Sequence, residues 1–195
     1  MSPRSPEQFE ELRENKKELI RSSALKLFAK KGFFVSSISM IASEAGISKG
    51  LIYNYYESKE ALLKDIIITG FEKIAITVDP NRDGIITHEE FLNMIRLSKE
   101  RLISDRRFWT LYFSSLPQPS VLNIVRNEVN QMYDRLIGMF TEYFRGEGYA
   151  EPETEALFLG SVLDGISFHY LFNPSKYPLE KVIDQLIKRY NKKEQ

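Results

Sequence analysis

Apolar residues recur at helical spacing along almost the whole of this 195-residue chain. Leu19, Ile20, Ala24, Leu27 and Phe28 form one stripe, stopped by Gly32. Upstream, Ser5 and Pro6 read as a cap and a first-turn proline, with Glu7, Glu10 and Glu11 favourable near a helix N-terminus. Ile38, Ile41, Ala42 and Ala45 then fall at i, i+3, i+4 and i+7, which predicts a short helix closed by Gly46. Ile47 plugs the turn, and Ser48 is placed to cap a second short helix that buries Ile52 and Tyr56. That helix turns Lys49, Tyr53, Asn54 and Tyr55 outward. Ser58 caps a long helix from Ala61 to about Thr77 carrying Leu62, Leu63, Ile66, Ile67, Phe71 and Ile74. Further helices are predicted for 88–103, 107–116, 120–145, 152–172 and 179–190. Breaks at Pro117 and Pro119, at Gly146 and Gly148, and at Asn173-Pro174 separate them. No segment alternates with period two for long enough to make a sheet, so the chain reads as all-α.

A short helix, a tight turn and a second helix with a polar outer face are the parts of a helix-turn-helix, whose second helix enters the major groove of DNA. The overall charge argues against a nucleic-acid partner, since 27 basic residues balance 27 acidic ones. Its distribution reverses that. From Arg13 to Lys59 nine basic residues face four acidic ones, while the rest of the chain carries 18 basic against 23 acidic. A basic end on an acidic body is the electrostatic footprint of DNA binding.

Composition excludes more than it selects. With no cysteine, disulfides, thiol catalysis and thiolate metal sites are ruled out. Two histidines, His88 and His169, leave little for a zinc site or a His-dependent triad. The longest apolar run, around Glu155 to Phe172, is interrupted by Asp164 and His169 and is too polar to span a bilayer. The N-terminus is charged and lacks the apolar core of a signal peptide, so a cytoplasmic protein without a membrane partner is the expectation.

The first sixty residues resemble the DNA-binding domain of the TetR family of bacterial transcriptional regulators. The matching features are the helix ending AKKGF, the helix ISMIASEAG and the recognition segment ISKGLIYNYYESKEALL, in that order. Met40 departs from the pattern, standing where many members have an acidic residue that reinforces the cap. Leu51 also departs, at a position often small or hydroxylated. The resemblance implies a DNA-binding domain over 1–60 of three helices, joined to a helical effector-binding and dimerisation domain over 61–195. It further implies a homodimer, usually a repressor, that places two such domains in successive major grooves of a near-palindromic double-stranded operator. Carried onto this sequence, Ser37 and Tyr55 should bond phosphates and Lys59 meets the backbone. Gly50 lets the duplex approach closely, and Lys49, Tyr53 and Asn54 read base edges. Ser48 opens the reading helix, and Leu51 either meets a thymine methyl or packs.

Residues 79–90, DPNRDGIITHEE, fit the twelve-residue calcium loop of an EF-hand. Asp79, Asn81 and Asp83 offer side-chain oxygens at the first, third and fifth positions, and Gly84 makes the turn at the sixth. Ile85 offers its carbonyl, Thr87 a hydroxyl or a held water, and Glu90 a bidentate carboxylate. Helices are predicted on both sides, as the motif requires. Ca2+ is the expected ion, since magnesium demands tighter octahedral geometry. No organic cofactor is indicated.

The body carries many aromatic and methionine side chains. Phe108, Trp109, Tyr112, Met132, Tyr133, Phe140, Phe168 and His169 are candidates to line a pocket for an apolar or aromatic effector. Gly160, Ser161 and Gly165 would let the 152–172 helix approach a partner closely, so the last two helices are the expected four-helix dimer interface. Two rival classes follow from the same residues. A calcium sensor with an incidental helix-turn-helix has only one EF-hand-like loop to work with, and a helical enzyme lacks a phosphate loop or a clustered acid–base pair.

Overall fold

The computed structural model describes residues 6–191, which leaves the Ser5 cap outside the described residues. Its elements are α1 (Pro6–Lys31), α2 (Ile38–Ala45), α3 (Lys49–Tyr53), α4 (Lys59–Val78) and α5 (His88–Ser104). They continue as α6 (Arg106–Ser115), α7 (Pro119–Gly146), α8 (Pro152–Phe172) and α9 (Leu179–Tyr190). Among the described residues every regular element is helical, as the periodicity predicts.

The first helices are held by local chemistry. At eight and five residues, α2 and α3 are too short to persist alone. Ser37 accepts a hydrogen bond from Met40 N at 3.2 Å and Ser48 one from Leu51 N at 3.2 Å. Ser58 does the same for α4, from Ala61 N at 3.0 Å. Each serves a backbone donor in the first turn, although Leu51 N also donates to the Ser48 carbonyl at 3.1 Å. Gly46, at φ 65°, ends α2 in the left-handed conformation that a side chain resists. Ile38, Ile41, Ala42 and Ile52 then fold onto Ile20, Ala24, Leu27 and Phe28 of α1.

This buried cluster does not stop at residue 60. It runs through Leu62, Leu63, Ile66, Ile67 and Phe71 of α4 into Phe108 and Leu111 of α6 and Val121 and Val125 of α7. A second cluster joins the end of α4 to α5, the C-terminal half of α7, α8 and α9, around Phe91, Ile95, Phe144, Leu159 and Ile183. The helix α4 therefore belongs to both. Where it crosses α6, Gly70 makes room for a close approach: a Cβ there would lie 1.9 Å from Cε2 of Phe108, so the ring would have to shift.

Candidate functional site

The helix α3 emerges with two faces. Ile52 is fully buried and Tyr56 nearly so, anchoring α3 and the turn after it. Lys49, Gly50, Tyr53 and Asn54 are exposed, and a Cβ built at Gly50 would meet nothing within 4 Å. Lys49 Nζ lies 5.8 Å from the Tyr53 ring centroid, so a cation and an aromatic share one outer surface. Ser37 and Ser48 are exposed as well. Each hydroxyl accepts its capping bond and keeps its own O–H for an outside acceptor. Leu51 and Tyr55 are half-buried, and Tyr55 packs on the N-terminal core.

Lys59 is placed differently from the sequence expectation. Its ammonium donates to the carbonyls of Phe33 and Ser36, both at 2.9 Å, and sits 4.3 Å from the Phe33 ring centroid. Those carbonyls lie in the α1–α2 connection, so Lys59 clamps that connection rather than reaching outward. The cost of leaving these groups unpaired explains the choice. A second support joins the turn after α3 to α1. Tyr56 Oη donates to Asp65 Oδ2 at 2.5 Å, and Arg21 Nη1 bonds the same oxygen at 3.1 Å. Burial and the neighbouring Asp65 carboxylate push the Tyr56 hydroxyl well above the ordinary phenol range. Glu44 of α2 is held below the usual carboxylate range by its hydrogen bond from Lys26 of α1.

The 79–90 loop lies between α4 and α5. Arg82 and Gly84 take left-handed backbone angles, φ 61° and 79°, and fold the chain over Asp79. Asp79 Oδ2 accepts from Gly84 N at 3.1 Å, whereas its Oδ1 is buried without any hydrogen-bond partner. Asn81 and Asp83 are exposed, Ile85 is exposed, and Ile86 is buried in the second cluster. Thr87 and Glu90 form a reciprocal capping box at the start of α5. Among the described residues no three His, Cys, Asp or Glu side chains gather as a metal cluster. Here the loop's polar side chains bond one another.

Between α4, α5, α7 and α8 lies a cavity of about 190 Å³. Trp109, Tyr112, Met132, Tyr133 and Phe140 line it, as expected from the sequence, together with Met94, Leu102, Leu136 and Leu163. Three expected lining residues do not reach it. Phe108 is turned into the crossing at Gly70, Phe168 is exposed and edge-on to Phe113, and His169 stacks on Tyr177. A helical period marks an apolar residue but not which neighbour it meets. Asp164, on the wall, has its carboxyl pushed up by burial. Trp109 Nε1 is a buried donor without a partner.

Beside this cavity opens a cleft of about 960 Å³ between α1, α4 and α6. Arg21, Lys26, Lys30, Lys73, Arg106 and Arg107 line it against Glu18 and Asp105. Ile74, Arg101 and Trp109 belong to both spaces. No local sequence pattern marks this cleft, because its charges come from helices distant in sequence. On the far side, α8 leaves Leu157, Phe158, Phe168 and Phe172 exposed, Phe172 at 82%.

Residues 20–66 match the family model of bacterial regulatory proteins, tetR family. Over 48 residues, a quarter of the chain, the sequence is 58% identical to YerO, an uncharacterized HTH-type transcriptional regulator of Bacillus subtilis (strain 168), covering 17% of that protein. It is 29% identical over 164 residues to another uncharacterized HTH-type regulator of that organism, YuxN, covering 80% of this chain and 54% of that one. The chain thus spans about half, or less, of these relatives' length. In fold it is similar to the transcriptional regulator FadR of Bacillus subtilis, solved in complex with stearoyl-CoA, with TM-score 0.69 and 20% identity. That likeness covers 89% of this chain and 96% of the other. Among the described residues no helix is long and apolar enough to cross a membrane. Residues 20–66 therefore carry the helix-turn-helix segment of the tetR family of bacterial regulatory proteins, set on a body with the fold of a solved transcriptional regulator.

Proposed function

We propose that the chain is a ligand-responsive, sequence-specific DNA-binding repressor that acts as a homodimer on a near-palindromic operator. The observation that carries this reading is the outer face of α3, where Lys49, Tyr53 and Asn54 stand free over open space at Gly50. Lysine pairs well with guanine acceptors and asparagine with the adenine edge, so these two read bases. Tyr53 reads beside them, while Ser37 and Tyr55 hold phosphates. Ser48 presents its free O–H, and Leu51 completes the groove-facing surface. The exposed apolar side chains of α8 support pairing of two copies through the last two helices, with α9 beside them presenting polar and charged residues outward.

The effector carries an apolar or aromatic part that fills the cavity. A cavity of about 190 Å³ is smaller than the ~300–1,000 Å³ usual for drug-sized ligands. A larger ligand would therefore extend past Trp109 into the basic cleft, which favours an apolar tail with an anionic head. The stearoyl-CoA bound by the similar FadR has this character. Trp109 Nε1 supplies a ready donor for such a ligand's carbonyl. We also propose that the 79–90 loop binds Ca2+ in a structural or modulatory role.

A gel-shift with the DNA upstream of the coding region tests the main reading. Salt-sensitive binding to a near-palindrome is expected, with Lys49→Ala and Asn54→Ala each costing about 1–3 kcal/mol and relaxing the choice of base. Binding that ignores sequence, or is unchanged in both variants, overturns it.

A further inference from the structure

We propose that residues 79–90 form a two-state calcium site, in which a side-chain amide stands in for the ion when the ion is absent. The amide is that of Asn81. Its Nδ2 donates to Asp83 Oδ2 at 3.1 Å and to Glu90 Oε1 at 3.2 Å. One neutral group with two N–H bonds thus bridges the two carboxylates that a cation would bring together.

Asp79 provides an independent sign that something is missing from this arrangement. The residue is 2% exposed. One of its oxygens is satisfied across the loop by Gly84 N, so the carboxylate is turned toward the loop's interior. The other, Oδ1, has no partner at all. Buried carboxylate oxygens are rarely left this way, because dehydration without a donor is costly. A divalent cation ligated by Oδ1 removes that cost.

Calcium takes six to eight oxygens at about 2.3–2.6 Å. The loop offers carboxylates from Asp79, Asp83 and Glu90, the Asn81 Oδ1, the Ile85 carbonyl and the Thr87 hydroxyl. The three carboxylates do not gather in the present arrangement, so reaching that set requires the loop to close and two sets of bonds to be exchanged. Asn81 rotates to bring oxygen inward, breaking the bond its Oδ1 now accepts from Asp83 N at 3.1 Å. Glu90 leaves the capping box, where its Oε2 accepts from Thr87 N at 2.9 Å and Thr87 Oγ1 at 2.7 Å. Ion binding therefore exchanges a helix cap for a ligand and draws the first turn of α5 toward the end of α4.

These helices also form one corner of the apolar cavity. Val78, next to Asp79, lines it from α4, and Met94, one turn beyond Glu90, lines it from α5. The ion would brace that corner. Only this last consequence rests on the effector reading above. Loss of operator binding would leave the calcium effect intact, and loss of the calcium effect would leave operator binding intact.

Thermal unfolding of the metal-free full chain in CaCl2 and in MgCl2 tests the proposal. With a Kd of about 10⁻⁴ M, about 10 mM calcium should raise Tm by about 5–10 °C and magnesium by much less. Glu90→Gln keeps a capping acceptor but should abolish the calcium shift. Asp79→Asn should abolish it too, while leaving the metal-free Tm equal to or above that of the parent, because a buried unpaired charge is gone. Asn81→Ala should lower the metal-free Tm, since Asp83 and Glu90 then face each other without the bridge. No shift in calcium, an equal shift in magnesium, or a shift that survives in both Glu90→Gln and Asp79→Asn overturns the proposal.

Discussion

The two ends of this molecule are built by different rules. In the first, three successive helices are started by serines, Ser37, Ser48 and Ser58, each accepting a backbone N–H from three residues ahead. In the second, α6, α7, α8 and α9 begin without any side-chain cap. In α7 and α8 length compensates, with 28 and 21 residues, while α6 and α9, with 10 and 12, are seated through their buried faces. A capped start fixes the backbone by chemistry within four residues of sequence, in the short α2 and α3 as in the 20-residue α4. Uncapped helices leave position to whatever they touch. Under the proposed function, a surface that presents Lys49 and Asn54 at set positions profits from the first rule, and a cavity that adapts to a ligand tolerates the second.

The comparison breaks most sharply at Ile52. It is the single buried side chain of the five-residue α3. Ile52→Ala should cost about 2–5 kcal/mol, read by denaturant unfolding. Leu159→Ala in α8, equally buried, should cost a similar amount. The two then diverge in function. With stability restored by osmolyte, the α8 variant should bind operator normally, whereas the α3 variant should stay impaired because its reading helix has lost its seat. Equal recovery in both would show that α3 is positioned by more than this anchor.

Gly70 sharpens the comparison at the point where the two regions meet. Replacing glycine by alanine inside a helix ordinarily stabilises it by about 1 kcal/mol. Here the new methyl would meet the Phe108 ring, which is 5% exposed and packed edge-on against Phe71 and Trp109. The ring has nowhere to swing, so overpacking of about 1–3 kcal/mol should win and Gly70→Ala should lower Tm. In a Phe108→Leu background the sign should reverse, as helix propensity acts unopposed. A destabilising Gly70→Ala in both backgrounds would place the strain elsewhere.

What was legible in the sequence follows the same division. Helix order came through almost to the residue, because prolines, glycines and apolar periods are local signals. So did the division of α3 into buried Ile52 and exposed Lys49, Tyr53 and Asn54. The intramolecular bonds of Lys59 are not legible locally, since their acceptors are carbonyls of Phe33 and Ser36, more than twenty residues away. The cavity was half legible. Trp109, Tyr112, Met132, Tyr133 and Phe140 line it, but Phe108, Phe168 and His169 share their composition and not their place. The basic cleft left no local trace, although the lone glycine within α4 was a signal that something approaches there closely.

The smallest effect is also the most direct test of the two rules. Ser48→Ala removes the side-chain acceptor for Leu51 N, leaving the Ser48 carbonyl at 3.1 Å as its remaining partner, and should cost about 0.5–1 kcal/mol. Glu151 occupies the corresponding position before α8 but makes no capping bond, so Glu151→Ala should change stability by no more than about 0.5 kcal/mol. Chemical unfolding resolves the difference if both variants are measured against the parent in one buffer. Ser48→Asp should retain most of the parent's stability, because a carboxylate also accepts at an N-cap, yet it should weaken operator binding by placing negative charge beside the phosphates. A variant that keeps the fold and loses the DNA would separate Ser48's capping bond from its exposed surface. If Ser48→Ala proves as silent as Glu151→Ala, the start of α3 is set by Ile47 and Ile52 packing alone, and the difference between the two ends of the molecule lies in helix length rather than in caps.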